Sequence, residues 1–185
     1  MNQATPVTPI PSATVVLLRD RALCLEVLLL LRNQSLTFAP GQWVFPGGRI
    51  DPGDYQHPDQ SDHPDHSGDD DNPEVHQQAA RRAACREAHE EAGVVVSADT
   101  LQLIDHFITP AAQPRRFTTW FYLADANHCD DVIIDDGEIV DHQWIQPEVA
   151  LQRHHQGALS LMRPTRKVLE KLDGVKKVIE ALTLA

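Results

Sequence analysis

Two early stretches, residues 13–18 and 23–31, are dominated by valine and leucine, and the polar Arg19-Asp20-Arg21-Ala22 between them predicts a β-hairpin. Residues 33–42 read as a loop, and Trp43-Val44-Phe45 as a short apolar strand running into a turn at Gly47-Gly48. Adjacent glycines let a backbone come close to another group and leave a carbonyl exposed. From about 55 to 73 the apolar pattern stops, and aspartates mix with prolines and histidines. Such a stretch buries too little surface to offset its chain entropy, so a flexible acidic insertion loop, able to act as a lid, is expected. Small apolar residues then recur at helical spacing from 73 to 92 (Val75, Ala79, Ala80, Ala83, Ala84), with Gly93 placed to end the helix. Residues 101–109 and 116–123 predict strands joined by a turn at Gln113-Pro114-Arg115, and 139–145 another strand. Residues 147–156 and 163–182 predict helices that cover the sheet. Strands and helices mixed in this order imply an α/β fold, a three-layer α/β/α sandwich around a mixed sheet. The expected organisation is a flexible tail over residues 1–12 and one domain over 13–185.

Composition narrows the function. At 185 residues the chain suits one core. A net charge of −11 and a pI of about 5.2 argue against a broad nucleic-acid surface. An acidic protein that handles phosphates needs local cations. The apolar run 27–31 is too short to span a bilayer, so no membrane association is expected. Cys24, Cys85 and Cys129 are an odd number without a close-spaced pair, which suits a reducing compartment. Residues 1–12 lack the pattern of an export leader, and a cytoplasmic location is the expectation.

The candidate chemistry lies in Arg86-Glu87-Ala88-His89-Glu90-Glu91-Ala92-Gly93-Val94. On a helix, Glu87, Glu90 and Glu91 fall on one face, where like charges repel. A hard divalent cation, magnesium or manganese, would remove that conflict and would bring phosphate chemistry with it. Arg86 stands close enough to hold one of these carboxylates in a single rotamer. An exposed acidic helix face is the plainer alternative. His57, His63 and His66, among the aspartates of the insertion, allow a separate metal store, although no spacing there matches a defined site.

Together with Gly48 and Asp54, this segment resembles the signature box of the Nudix hydrolases. Gly48 and Asp54 match its first half, and Arg86 to Val94 its second. Asp54 stands where the family has glutamate, Ala88 is smaller than the usual bulky residue, and 31 residues separate Asp54 from Arg86 where the family has seven. Loops tolerate such insertions at low cost. The resemblance implies a Nudix fold and metal-dependent hydrolysis of a nucleoside diphosphate derivative. By position it implies Glu87, Glu90, Glu91 and the Gly47 carbonyl as metal ligands, with Arg86 orienting a glutamate and Asp54 pairing with Arg86. Glu138, before the Trp144 strand, matches a glutamate that many relatives bring near the metals. The implied catalytic set is Arg86, Glu87, Glu90 and Glu138.

Arg115, Arg116 and Phe117 could hold phosphates and stack a base, or could be the exposed end of a hairpin. Ile108-Thr109-Pro110, then Pro114 to Thr119, the insertion, and Gly137 to Trp144 are together similar to the branch of peroxisomal coenzyme A diphosphatases. That likeness implies substrate contacts at Arg115, Arg116 and Phe117, and coenzyme A or acyl-coenzyme A as substrate. ADP-ribose, a dinucleotide or a nucleotide sugar is the alternative within the family. A ligand-binding or regulatory module without hydrolysis is the non-enzyme alternative, and it would expect a box carboxylate to be lost. A homodimer remains open.

Overall fold

The computed structural model describes residues 7–55, 72–129 and 131–185. It comprises β1 (Ile10–Arg21), β2 (Cys24–Arg32), β3 (Trp43–Val44), β4 (Gly47–Arg49), α1 (Pro73–Ala92), β5 (Gln102–Ile108), β6 (Phe117–Asp125), β7 (Ile139–Ile145), α2 (Pro147–His155), α3 (Arg163–Leu172) and α4 (Val178–Leu182). A 3-10 turn, Pro52–Tyr55, follows β4, and another, Ala98–Thr100, precedes β5. The strands form one sheet with the order β3-β2-β1-β6-β5, β4 pairing with β1 and β7 with β2. β1 runs parallel to β6 and antiparallel to β2 and β4, so the sheet is mixed, as expected.

Each face of the sheet carries its own core. On one side Ala80, Ala83, Ala84, Ala88 and Ala92 of α1 pack against Ala13, Val15, Leu17, Leu28 and Leu30. Alanine at three- and four-residue spacing lets the helix lie close to the strands, so a larger side chain there would overpack the layer. On the other side Val16, Leu18, Val27 and Leu29 meet Leu151 of α2, Val168, Leu169 and Leu172 of α3, and Val178 of α4. The result is a three-layer α/β/α sandwich. Among the described residues, no helix is long and apolar enough to cross a membrane.

Several boundaries differ from the sequence expectation for local reasons. The tail predicted to reach residue 12 gives way to strand at Ile10, whose N–H donates to the Arg116 carbonyl at 2.9 Å, while Ile50 N–H donates to the Pro11 carbonyl at 3.1 Å. The hairpin turn is only Ala22-Leu23, with Ala22 at φ 53°. Arg19, expected in that turn, instead pairs across the ladder with Glu26 at 2.7 Å. Gly47 and Gly48, expected as a turn, lie in β4. The helix expected over 163–182 breaks after Leu172, where Gly174 takes φ 82°. Asp20 accepts the Val178 N–H at 3.0 Å and starts α4. The insertion expected at 55–73 begins with Tyr55 in the 3-10 turn and ends with Asn72 and Pro73 opening α1. Residues 1–6 and 56–71, including His57, His63 and His66, lie outside the described residues.

Candidate active site

α1 is defined at both ends. Asn72 accepts the Glu74 N–H at 3.0 Å and Pro73 occupies the first turn, both favourable at a helix start. At the other end Gly93 adopts φ 69°, and the Gly93 and Val94 N–H groups close onto the His89 and Ala88 carbonyls at 2.9 and 3.1 Å. The last two turns of this helix carry the box carboxylates.

Arg86 is the hub. Its Nη2 donates to Asp54 Oδ2 at 2.9 Å and to the Arg49 carbonyl at 2.9 Å. Its Nη1 donates to Glu87 Oε1 at 2.8 Å and to Glu90 Oε2 at 3.0 Å. The hydrogen bonds to Asp54, and then those to Glu87, raise the Arg86 pKa against the opposing effect of burial. The shorter Asp54 side chain therefore reaches the arginine across the insertion. Its main-chain carbonyl is also held, by Arg82 Nε. That second strap fixes the turn from which the insertion departs.

The glycines are required by close approach, since neither has a positive φ. A Cβ on Gly47 would stand 2.6 Å from the Ala13 carbonyl oxygen, and one on Gly48 would overlap the Glu87 carboxylate. The Gly47 N–H donates to Glu91 Oε2 at 2.9 Å. Glu91 is buried, and burial pushes its pKa up to about 8, with the Gly47 N–H acting downward and the charges of Glu87 and Glu138 upward. Burial likewise raises Glu87, opposed by Arg86 and reinforced by Glu90 and Asp51.

Glu138 reaches the same cavity from the loop before β7. Arg32 Nη2 lies 2.5 Å from Glu138 Oε1, and Arg32 Nε donates to the Phe38 carbonyl at 3.2 Å. Asp135 shapes the loop by accepting the Glu138 N–H at 2.8 Å and the Ile139 N–H at 2.9 Å. Burial acts upward on Asp135, but the N–H groups of Glu138, Ile139 and Gly137 outweigh it and hold the carboxyl below its usual range.

Arg32, Gly47, Gly48, Arg86, Glu87, Glu90, Glu91 and Glu138 line one cleft of about 820 Å³. That volume lies in the upper range for small-molecule sites. Among the described residues no three Asp, Glu, His or Cys side chains already converge as a cage. Arg86 draws in Glu87 and Glu90, the Gly47 N–H holds Glu91, and Arg32 holds Glu138. The donor set nonetheless fits a hard divalent cation: crowded carboxylate oxygens, two of whose groups burial and mutual repulsion drive toward the neutral form.

Arg115 and Phe117 line the cleft away from the carboxylates. The Arg115 guanidinium lies 5.3 Å from the Phe38 ring centroid and 5.2 Å from that of Phe117, and the two rings are 5.1 Å apart. Arg116 is not part of this group. Its Nε donates to the Thr109 carbonyl at 3.0 Å and its Nη1 to the Val7 carbonyl at 2.7 Å, so it ties down the N-terminal segment. Cys85 is half-buried, and its thiol is pushed up to about 11 by burial. Sequence reasoning missed Arg32, Phe38, Asp135 and Arg82. An arginine ending an apolar strand and a phenylalanine in a polar loop were the only signals for the first two.

The NUDIX domain family matches residues 69–164. A curated relative, "Putative nudix hydrolase 7" of Caenorhabditis elegans, is 29% identical over 167 residues, covering 82% of this chain and 57% of its own. The chain thus spans little more than half the length of that relative. A NUDIX hydrolase from Alicyclobacillus acidocaldarius superposes with a TM-score of 0.77 at 25% identity, over 95% of this chain and 96% of that one. The NUDIX domain of Shewanella oneidensis NrtR, complexed with ADP ribose, gives 0.62 at 19% identity, over 89% and 86%. A Caenorhabditis elegans Ap4A hydrolase binary complex gives 0.58 at 22% identity, over 88% and 94%.

Proposed function

This chain belongs to the NUDIX family, and from that premise we propose that it is a metal-dependent hydrolase cleaving the diphosphate linkage of a nucleoside diphosphate derivative. The observation that carries this reading is the meeting, in one cleft, of Glu87, Glu90, Glu91 and Glu138 with the Gly47-Gly48 strand. None of the box carboxylates is lost, whereas a binding-only module would be expected to lose one. Motif resemblance favours coenzyme A or its acyl esters, whereas relatives of the same fold are named for Ap4A or hold ADP ribose. Their shared part, adenosine diphosphate joined to a second group, is the substrate class proposed.

Glu87, Glu90, Glu91 and the Gly47 carbonyl would hold magnesium or manganese, which supplies positive charge against the diphosphate oxygens. Arg86, locked by Asp54, keeps Glu87 and Glu90 turned into the cleft. Glu138, steered by Arg32 and by the Asp135 loop, is assigned to the attacking water. Arg115 and Phe117, with Phe38, hold the nucleoside end.

The test is to incubate purified protein and magnesium or manganese with coenzyme A, ADP-ribose, dinucleoside polyphosphates and nucleoside triphosphates, and to identify the products. Release of 3′,5′-ADP and phosphopantetheine would assign coenzyme A, and release of AMP from ADP-ribose would assign that substrate instead. No turnover of any diphosphate would reject the reading.

A further inference from the structure

The proposed diphosphate site occupies one end of the cleft, and the residues that continue from it across the sheet follow the strand register. In β4, β1 and β6 the rows are Gly47, Thr14, Phe121 and Arg49, Ser12, Thr119. All six line the cleft. Adjacent strands are about 4.8 Å apart. From Gly47, where Glu91 is bound, to β6 is therefore about 10 Å, two strand spacings. Phe117 lies two residues along β6 from Thr119, on the same face, and carries the ring contact with Phe38.

The composition of this face changes along the strands. Toward the closed end it is Val16, Leu18 and Leu123, covered by α3 and its neighbours. Under the cleft the same alternation delivers the hydroxyls of Ser12, Thr14 and Thr119. Hydroxyls on the core-facing side of a central strand are costly unless bonded. Ser12 is almost fully buried. Its Oγ donates to the Thr118 carbonyl at 3.3 Å and meets Thr119 Oγ1 at 2.6 Å. Either hydroxyl can donate in that short contact; in the arrangement that satisfies both bonds, the Ser12 proton goes to the Thr118 carbonyl and the Thr119 proton to Ser12. Thr119 Oγ1 then has lone pairs left over at the cleft wall and no proton to offer there.

Resting on the function proposed above, we propose that Thr119, oriented by Ser12, accepts a hydrogen bond from a ribose hydroxyl. The substrate then lies across β4, β1 and β6 with its diphosphate at Gly47, its sugar over the hydroxyl floor and its base at the Phe117 side. This makes the protein selective for ribonucleoside over deoxyribonucleoside derivatives. An analogue lacking that hydroxyl leaves the cleft-facing lone pairs of the half-buried Thr119 without their donor, which is how such sites reject analogues lacking one hydroxyl.

Calorimetric binding of AMP, 2′-deoxy-AMP and 3′-deoxy-AMP to the full chain with magnesium tests the proposal without relying on hydrolysis. AMP should bind about tenfold more tightly than one of the two deoxy nucleotides, consistent with a net hydrogen bond of this kind. Thr119→Val, which keeps the β-branched shape, should remove that preference, and Thr119→Ser should retain it. Equal binding of all three nucleotides by the wild-type protein, no AMP binding, or a preference that survives Thr119→Val would overturn it. Failure of the hydrolase reading would appear separately, as absent diphosphate turnover.

Discussion

The two ends of the cleft are built by different means. The acidic end comes from two turns of one helix braced against a three-residue strand, and each of its carboxylates is held by a protein partner: Arg86 alone binds Asp54, Glu87, Glu90 and the Arg49 carbonyl. The aromatic end gathers Phe38, Arg115 and Phe117 from separate parts of the chain through ring and cation contacts, with Arg115 exposed. A reaction common to many substrates needs fixed carboxylates. Choice among substrates needs only a surface that can change, and two loops provide it.

Replacing carboxylates at the first end should therefore abolish chemistry, while changes at the second should alter affinity. Glu90→Gln with Glu91→Gln should reduce kcat by ~10³-fold or more with the fold intact by circular dichroism, the scale of losing central charge-stabilising groups. Arg86→Gln should cost about 10- to 100-fold in kcat/KM, as for a residue that orients ligands without contacting substrate. Phe38→Ala should raise KM about tenfold with little change in kcat, in line with roughly 1–3 kcal/mol for a stacked base. A kcat loss from Phe38→Ala as large as that from Arg86→Gln would erase the distinction between the two ends.

The smallest effect is on stability. Glu91 has its pKa raised by burial, from 4.5 to about 8. A raised carboxyl favours the folded state most below its unfolded pKa, and that contribution is lost as pH rises through the folded value. Metal-free protein should therefore lose stability between about pH 4.5 and 8. Glu91→Gln should lack this component, so its melting temperature should fall less between pH 6 and pH 8.5 than that of the wild type. An equal fall in both proteins would mean that Glu91 is not the buried acid described.

What was legible in the sequence follows the same division. Residues 86–94 are contiguous, so helix periodicity alone brings the three glutamates to one face, and Gly93 could be read as the helix end. Gly47 and Gly48 signalled close approach, though the neighbours proved to be the Ala13 backbone and the Glu87 carboxylate, distant in sequence. Arg116 looked equivalent to Arg115, but just before β6 it turns to the backbone of Val7 and Thr109, while Arg115 lies over the Phe38 and Phe117 rings. Arg32, Phe38 and the Ser12–Thr119 pair depend on strand register and loop folding. No local pattern encodes those. The two-part helix over 163–182 was missed because Gly174 was outweighed by the apolar periodicity on either side.

The central claim is that the α1 carboxylates and the Gly47-Gly48 strand enclose a divalent cation. Manganese titration followed by electron paramagnetic resonance of the free ion tests it most directly, comparing wild-type protein with the Glu90→Gln, Glu91→Gln double variant. The wild type should remove manganese from solution and the double variant should leave it free. Equal uptake by both would place the ion elsewhere on the chain and contradict the account.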